Sequence, residues 1–168
     1  MERQLNKYCR INLKRWLVPL CFLITTMLVA QNDKEQQKIE KKATNLLRSA
    51  SSELKSDDFI DAEVDLRKAI ALLPSNETGK YNLGNAYYNK ALNDEAMKRY
   101  VQAAEVAASK PEKHKAYHNL GNTFMNAKKY QEAVEAYKNA LRNNPTDEET
   151  RYNPVSYTHL RAHETKPN

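Results

Sequence analysis

The sequence has few of the residues that build disulfide frameworks, tight turns and reactive thiol sites. Of 168 residues, three are glycine, two are cysteine and one is tryptophan. Both cysteines, Cys9 and Cys21, and the tryptophan, Trp16, lie within the first 30 residues. The remainder therefore has no disulfide, no thiolate metal site and no cysteine nucleophile. With little glycine and few runs of β-branched residues, the composition favours helices over a sheet.

The sequence also lacks the short motifs that carry most enzyme chemistry. It contains no glycine-rich phosphate loop and no G-x-S-x-G nucleophile elbow. His114 and His118 are four residues apart, as in metal-binding pairs on a helix, but no third ligand stands nearby in the sequence. His159 and His163 repeat this spacing in a C-terminal segment that is set aside below. We expect no catalytic residue, no cofactor and no metal site, with His114 and His118 on a solvated helix face.

The positive charge of the chain is concentrated at its amino terminus. The formal net charge is +6, and five basic residues against one acidic residue place +4 of it in residues 1–30. Because the remainder is nearly neutral, the pI of about 9.2 does not indicate a basic nucleic-acid-binding surface. We expect no nucleic-acid partner.

Residues 1–30 have the order of segments found in exported proteins. After the positive segment, a run of 15 uncharged residues extends from Trp16 to Ala30 and stops at the polar sequence QNDK. This order predicts a signal peptide cleaved after Ala30. The alternative is an uncleaved membrane anchor, although the run is shorter than the roughly 20 apolar residues of a spanning helix. Both alternatives predict export, with membrane contact only through residues 16–30 if the segment is retained.

The strongest pattern in the chain runs from Ala116 to Pro145. It has the spacing W-x2-L-G-x2-Y…A-x3-F…P, with tyrosine or phenylalanine at the aromatic positions. The matching residues are Tyr117, Leu120, Gly121, Phe124, Ala133, Tyr137, Ala140 and Pro145. The stretch resembles the tetratricopeptide repeat (TPR) family. The resemblance implies an all-α solenoid of helix–turn–helix units that binds other proteins.

Related patterns upstream predict three TPR units, or six helices, behind an N-terminal hydrophobic helix. In the first unit, Ala50 stands where later units have glycine, and Glu53 stands where they have an aromatic residue, as expected for a degenerate terminal repeat. The assigned segments are a charged spacer at 31–42 that leads into the first helix, and repeats at 43–76, 77–113 and 114–147.

The second repeat is longer than the first by three residues. Gly84 to Gly121 spans 37 residues, whereas Ala50 to Gly84 spans 34. We assign the extra residues to the turn between repeats around Pro111, and we expect this proline to end the second helix of its repeat.

A fourth repeat begins at 148–153 and is then interrupted. These residues align with the start of the second repeat, but Pro154 stands where that repeat has Leu83. Proline inside a helix costs about 3 kcal/mol. The sequence from residue 154 has no apolar period and looks like the translated end of a transposase-based sequencing adapter. We expect 154–168 to be a non-native or disordered tail, with a different natural sequence after Asn153.

Asparagine is enriched at positions that the repeat pattern does not require. Three asparagines recur at intervals of three and four residues in the first helices of the second and third repeats. In a TPR solenoid the first helices line the concave surface, where six carboxamides can bind the backbone of an extended peptide. The alternative is that they stay solvated. The predicted groove residues are Asn82, Asn85, Asn89, Asn119, Asn122 and Asn126, flanked by Tyr81, Tyr88, His118 and Met125.

Some TPR domains clamp a C-terminal carboxylate with lysine, arginine and asparagine. Asn85 and Asn119 match two asparagine positions of that clamp, but Tyr81 and Glu149 stand where it has lysines. The resemblance therefore does not predict a carboxylate clamp in this chain.

Residues 31–153 resemble more narrowly the small BatC-type TPR protein of the Bacteroidetes aerotolerance operon. The resemblance rests on the signal-like N terminus, on EVDLRKAIALLPSN and YNLGNAYY, and on the stretch that begins at Ala116. It implies a protein that is periplasmic, or anchored in the inner membrane facing the periplasm, and that works beside von Willebrand A-domain membrane proteins. The predicted function is a scaffold of the cell envelope with a peptide groove. The alternative is an assembly factor that acts by self-association without a groove ligand.

Overall fold

The structure is a computed structural model that describes residues 31–152. The signal peptide or anchor predicted in 1–30 and the tail predicted at 154–168 lie outside these residues. Within 31–152, no helix combines the length and the apolar character needed to cross a membrane. The chain divides into two units, residues 1–41 and 42–168, and each is described by itself.

The described part of the first unit, residues 31–41, is entirely helical. This helix corrects the prediction of a charged spacer at 31–42, since the chain is already helical at residue 31. Gln, Glu and Lys are good helix formers, and pairs one turn apart support the helix. Gln36 Nε2 donates to Glu40 Oε1 at 3.3 Å, and Lys38 Nζ lies 3.5 Å from Glu35 Oε2. High charge without an apolar stripe did not exclude a helix.

The second unit is a series of helices in which sequence neighbours pack together. From α2 to α6, each helix packs against the next, and α3 also contacts α5. This is the nearest-neighbour packing of a solenoid, and no strand occurs in 31–152. The helices are α1 (31–55, with 42–55 in this unit), α2 (Phe59–Leu72), α3 (Glu77–Asn89), α4 (Asn93–Val106), α5 (Lys110–Asn126), α6 (Tyr130–Asn143) and α7 (148–152 of the described residues).

In each of the two complete later repeats, a tyrosine ring of the second helix lies directly against a glycine of the first helix. A Cβ atom on Gly84 would lie 2.8 Å from the Tyr100 ring, and one on Gly121 would lie 2.5 Å from the Tyr137 ring. Both tyrosines are 1% exposed. The absence of a side chain at these glycines is therefore what allows a buried aromatic ring to lie against the helix.

In the first repeat, a different pair of residues occupies the glycine and tyrosine positions. Ala50 stands at the glycine position and Leu66 at the tyrosine position, and both are buried. A larger residue on the first helix is thus matched by a smaller one on the second helix. This compensation explains why the degenerate repeat still packs.

Pro111 begins a helix, so the prediction that it ends one was wrong. Helix α4 already ends at Val106, and Pro111 lies in the first turn of α5, where a missing N–H needs no partner. Ser109 Oγ accepts from Glu112 N at 3.3 Å and Glu112 Oε2 accepts from Ser109 N at 3.1 Å, which forms a capping box. The insertion lengthens α5, which has 17 residues against 13 in α3.

The tight turns inside the three repeats place a non-glycine residue in the left-handed region. Asp57, Ala91 and Lys128 have φ values of 60°, 57° and 59°. At the second turn, Leu92 N donates to Tyr87 O at 2.9 Å, which closes the end of α3. Glycine adopts this conformation without the steric cost that a Cβ imposes.

We predict that Ala91→Gly raises the free energy of unfolding by about 0.5–1 kcal/mol, because it relieves the strained backbone at the end of α3. Urea unfolding followed by circular dichroism measures the change. The matched control is Lys98→Gly in the interior of α4, which should lower the free energy of unfolding by about 1 kcal/mol. Equal losses in both variants would contradict the prediction.

Candidate functional site

Two core tyrosines fix the orientation of two predicted groove asparagines. The Tyr100 hydroxyl donates to Asn85 Oδ1 at 2.7 Å, and the Tyr137 hydroxyl donates to Asn122 Oδ1 at 2.6 Å. Burial raises the pKa of the Tyr100 phenol, so this hydroxyl keeps its proton and remains a donor. Because each amide oxygen is engaged from the core side, each Nδ2 group is turned away from the tyrosine. The same arrangement recurs in adjacent repeats.

A cluster of Tyr81, Asn85 and Asn119 joins α3 to α5. Asn119 Nδ2 donates to the Tyr81 hydroxyl at 2.9 Å and to Asn85 Oδ1 at 3.1 Å. Tyr81 also packs its ring 5.8 Å from the ring of Tyr100. Since Asn119 uses its hydrogens within the cluster, it offers an acceptor oxygen, whereas Asn85 offers a donor. The cluster can therefore pair with both the N–H and the C=O groups of a peptide backbone.

The other predicted groove residues do not join this hydrogen-bonded cluster. Asn89 and Asn126 are exposed near the ends of α3 and α5. Tyr88 and Met125 are half-buried, and Tyr88 packs against the hydrophobic core. Of the six predicted asparagines, Asn85 and Asn119 are the pair that the structure joins by a direct hydrogen bond.

Two depressions flank the cluster of Tyr81, Asn85 and Asn119. One, of about 260 Å³, is lined by Ser51, Leu54, Lys55, Leu66, Asn82 and Asn85. The other, of about 340 Å³, is lined by Tyr81, His114, Lys115, His118, Asn119, Asp147 and Glu149. Each contains members of the predicted groove, so recesses for side chains lie next to the oriented amides of α3 and α5.

His114 and His118 are not on a solvated face, and the prediction that no third ligand lies near them was wrong. Their side chains are 13% and 14% exposed, and His114 Nε2 lies 2.8 Å from Asp147 Oδ2. His118 Nδ1 bonds to Thr150 Oγ1 at 2.6 Å. Asp147 is the last residue of the predicted third repeat and directly precedes α7, whose Thr150 donates to its carboxylate. The N-cap pattern of Asp147 before an acidic pair was the sequence signal for this placement.

Helix α7 starts in the same way as α3. Arg151 donates from its guanidinium to Pro145 O at 2.6 Å, and Lys80 donates from Nζ to Pro74 O at the equivalent position. Thr150 is fully buried. Residues 148–152 therefore dock onto the third repeat as the first turn of a further repeat does.

The paired helices and the recurring glycine–tyrosine–asparagine contacts define a helical-repeat solenoid with one carboxamide-bearing side. Residues 114–147 match the family model described as tetratricopeptide repeat, so the chain contains a TPR and has the TPR fold. The same residues form the predicted third repeat. A comparison with curated proteins gives no match.

Solved TPR structures resemble the chain over most of their length. The N-terminal domain of stress-induced protein-1 (STI-1) from C. elegans is 26% identical, with 70% of this chain and 95% of that chain covered and a TM-score of 0.66. The first TPR of Spaghetti (RPAP3), bound to the HSP90 peptide SRMEEVD, is 21% identical, with 73% and 95% covered and a TM-score of 0.66. The second TPR domain of human RPAP3, in complex with the HSP70 peptide SGPTIEEVD, is 18% identical, with 72% and 96% covered and a TM-score of 0.62.

Proposed function

We propose that this protein is an interaction scaffold that binds an extended segment of a partner protein across α3 and α5. The observation that carries the proposal is the pair of oriented amides, Asn85 and Asn122, held by the Tyr100 and Tyr137 hydroxyls at 2.7 and 2.6 Å. Donors fixed before binding lose little conformational entropy when the ligand arrives. Such donors can bind the backbone carbonyls of a peptide irrespective of the peptide's side chains.

The solved neighbours that hold HSP90 and HSP70 peptides support binding of a peptide by this fold. The residues of this chain at the clamp positions do not favour binding of a ligand's C-terminal carboxylate. The two lysines expected of a carboxylate clamp are replaced here by Tyr81, which has a neutral hydroxyl, and by Glu149, which has an exposed carboxylate. A ligand carboxylate beside Glu149 would be repelled. The proposed ligand is therefore an internal extended segment and not a free C terminus.

The proposal extends to the cell envelope on the basis of the sequence. The signal-like residues 1–30 support export, and the BatC-type resemblance of 31–153 supports a role in aerotolerance with A-domain membrane proteins as partners. Protease protection in intact cells and in spheroplasts tests this location. Cleavage of the repeats only after the inner membrane is opened would contradict it.

The groove is tested with peptides selected from a random display library on the immobilised full chain. We predict that Asn85→Asp combined with Asn122→Asp weakens binding of a selected peptide by about 10–100-fold. Aspartate keeps an acceptor for each tyrosine hydroxyl but replaces the Nδ2 donors with oxygen. Fluorescence anisotropy gives the Kd, and circular dichroism checks that the helices remain.

The matched control is Asn139→Asp on α6, which makes the same chemical change at an asparagine outside both depressions. It should leave the Kd unchanged. Equal loss of affinity in the control would show that added negative charge, and not the loss of two donors, weakens binding.

One observation favours self-association as a second function. Ile60 and Val64, one turn apart on α2, are 73% and 43% exposed. If this face joins two copies, Ile60→Lys converts a dimer to a monomer in sedimentation and leaves peptide binding intact. If the protein acts through the groove alone, the wild type and Ile60→Lys should sediment alike.

A further inference from the structure

His114, His118 and Asp147 bring three metal-ligating groups together on the side of α5 that faces α7. One ring nitrogen of each histidine and one carboxylate oxygen lie within 4.8 Å of one another. The side chains of these residues are 13%, 14% and 20% exposed. The site is separate from the Asn85 and Asn122 amides, although it borders the depression of about 340 Å³.

His114 Nε2 and Asp147 Oδ2 are close enough to share a proton or a metal ion. His114 Nδ1 lies 3.1 Å from Ala140 O, which can only accept, so Nδ1 carries a hydrogen. In the neutral ring, Nε2 then has a lone pair, and it faces Asp147 Oδ2 at 2.8 Å. Two acceptors at this distance repel unless a proton or a metal ion lies between them.

We propose that His114, His118 and Asp147 bind a divalent transition-metal ion, for which zinc is the best match. Two imidazole nitrogens and one carboxylate oxygen are a ligand set that zinc prefers. Tetrahedral ligands at about 2.1 Å from zinc lie about 3.4 Å apart. The separations from Asp147 Oδ2, 2.8 Å to His114 and 3.9 Å to His118, lie on either side of that value.

Contacts around the three ligands suit this assignment. The bond from His114 Nδ1 to Ala140 O is the outer-shell contact that commonly orients a ligating histidine. The Thr150 hydroxyl donates to Asp147 Oδ2 at 2.6 Å and accepts from His118 Nδ1 at 2.6 Å, so His118 gives up this bond and its Nδ1 proton when the metal binds. Glu149, which is 75% exposed and has Oε1 3.8 Å from His118 Nε2, or a water molecule completes the fourth position. Since Asp147 directly precedes α7 and accepts from Thr150, the ion ties the third repeat to the segment that follows it.

The test begins with the full chain freed of metal by dialysis against EDTA. We expect Zn²⁺ to bind with one-to-one stoichiometry in calorimetry and to raise the thermal midpoint. Co²⁺ should give the visible absorption of a four-coordinate nitrogen and oxygen site. Asp147→Asn and His118→Tyr should each weaken Zn²⁺ binding by at least about 100-fold.

Both substitutions are chosen from residues that the chain already uses at the equivalent positions. Asn76 caps α3, with Oδ1 accepting from Gly79 N at 2.9 Å, and Tyr81 is the counterpart of His118. These variants should therefore fold, as circular dichroism will show. The histidine pair in the tail serves as the control, since His159→Gln with His163→Gln should leave Zn²⁺ binding unchanged.

Any of three results would overturn the proposal. Loss of Zn²⁺ binding in the tail variant would place the ion at His159 and His163. Failure of the wild-type chain to bind Zn²⁺, or unchanged affinity in Asp147→Asn, would mean that the contact between His114 and Asp147 is satisfied by a proton only.

Discussion

Gly121→Ala should lower the free energy of unfolding by about 1–3 kcal/mol, although alanine is the better helix former by about 1 kcal/mol. The added methyl group would lie 2.5 Å from Tyr137 Cε1 and 2.6 Å from Cδ1. The Tyr137 ring is buried, and its hydroxyl is bonded to Asn122 Oδ1 at 2.6 Å, so it has little freedom to retreat. Urea unfolding of the full chain measures the loss.

The chain offers both a control and a rescue for this variant. Gly79 is also buried in a helix, but a Cβ there would meet Ile70 Cγ1 at 3.1 Å, a flexible aliphatic chain, so Gly79→Ala should be neutral or stabilising. Adding Tyr137→Leu to Gly121→Ala should recover part of the loss, because the first repeat already pairs alanine with leucine in this way. Equal effects of the two glycine substitutions would contradict the packing argument.

Leu83→Ala should destabilise the protein by about 2–5 kcal/mol, the largest loss that we expect from one substitution. The Leu83 side chain is 0% exposed, and it belongs to the core cluster that includes Ala50, Leu66 and Tyr87. Its removal leaves a cavity at the junction of the first and second repeats. Because solenoid stability depends on the contacts between neighbouring repeats, unfolding should also become less cooperative.

Ile60→Ala is the matched control for Leu83→Ala. It removes a side chain of similar size that is 73% exposed, and it should change the free energy of unfolding by no more than about 0.5 kcal/mol. A similar loss in both variants would mean that burial at the repeat junction does not hold the solenoid together.

The repeat architecture was accessible from the sequence because each signature residue acts within its own helix pair. Leu120, Ala133 and Tyr137 match the repeat spacing, and all three are buried. The helix at 31–42 was missed because a charged segment has no apolar stripe to indicate it. The position of Pro111 was missed because proline both ends helices and begins them, and only the Ser109 capping box decides between the two.

The internal role of the asparagines was harder to predict, since it depends on a partner 15 residues away in another helix. The sequence did contain a signal. The first repeat replaces both members of the pair at once, with Ser51 at the asparagine position and Leu66 at the tyrosine position. The cluster of His114, His118 and Asp147 was missed because Asp147 is distant from the two histidines in the sequence and lies beside them only in the folded chain, where α7 packs beside α5.

The central claim is that the Nδ2 groups of Asn85 and Asn122 donate to a peptide. The most direct test is a nitrogen-15 NMR titration of the full chain with a display-selected peptide, with the side-chain amides assigned. We predict that the Asn85 and Asn122 amide resonances shift to saturation with the Kd measured by anisotropy, while that of Asn139 does not move. Saturable binding that leaves both groove amides unshifted, or that shifts residues around Ile60 and Val64 instead, would contradict the account.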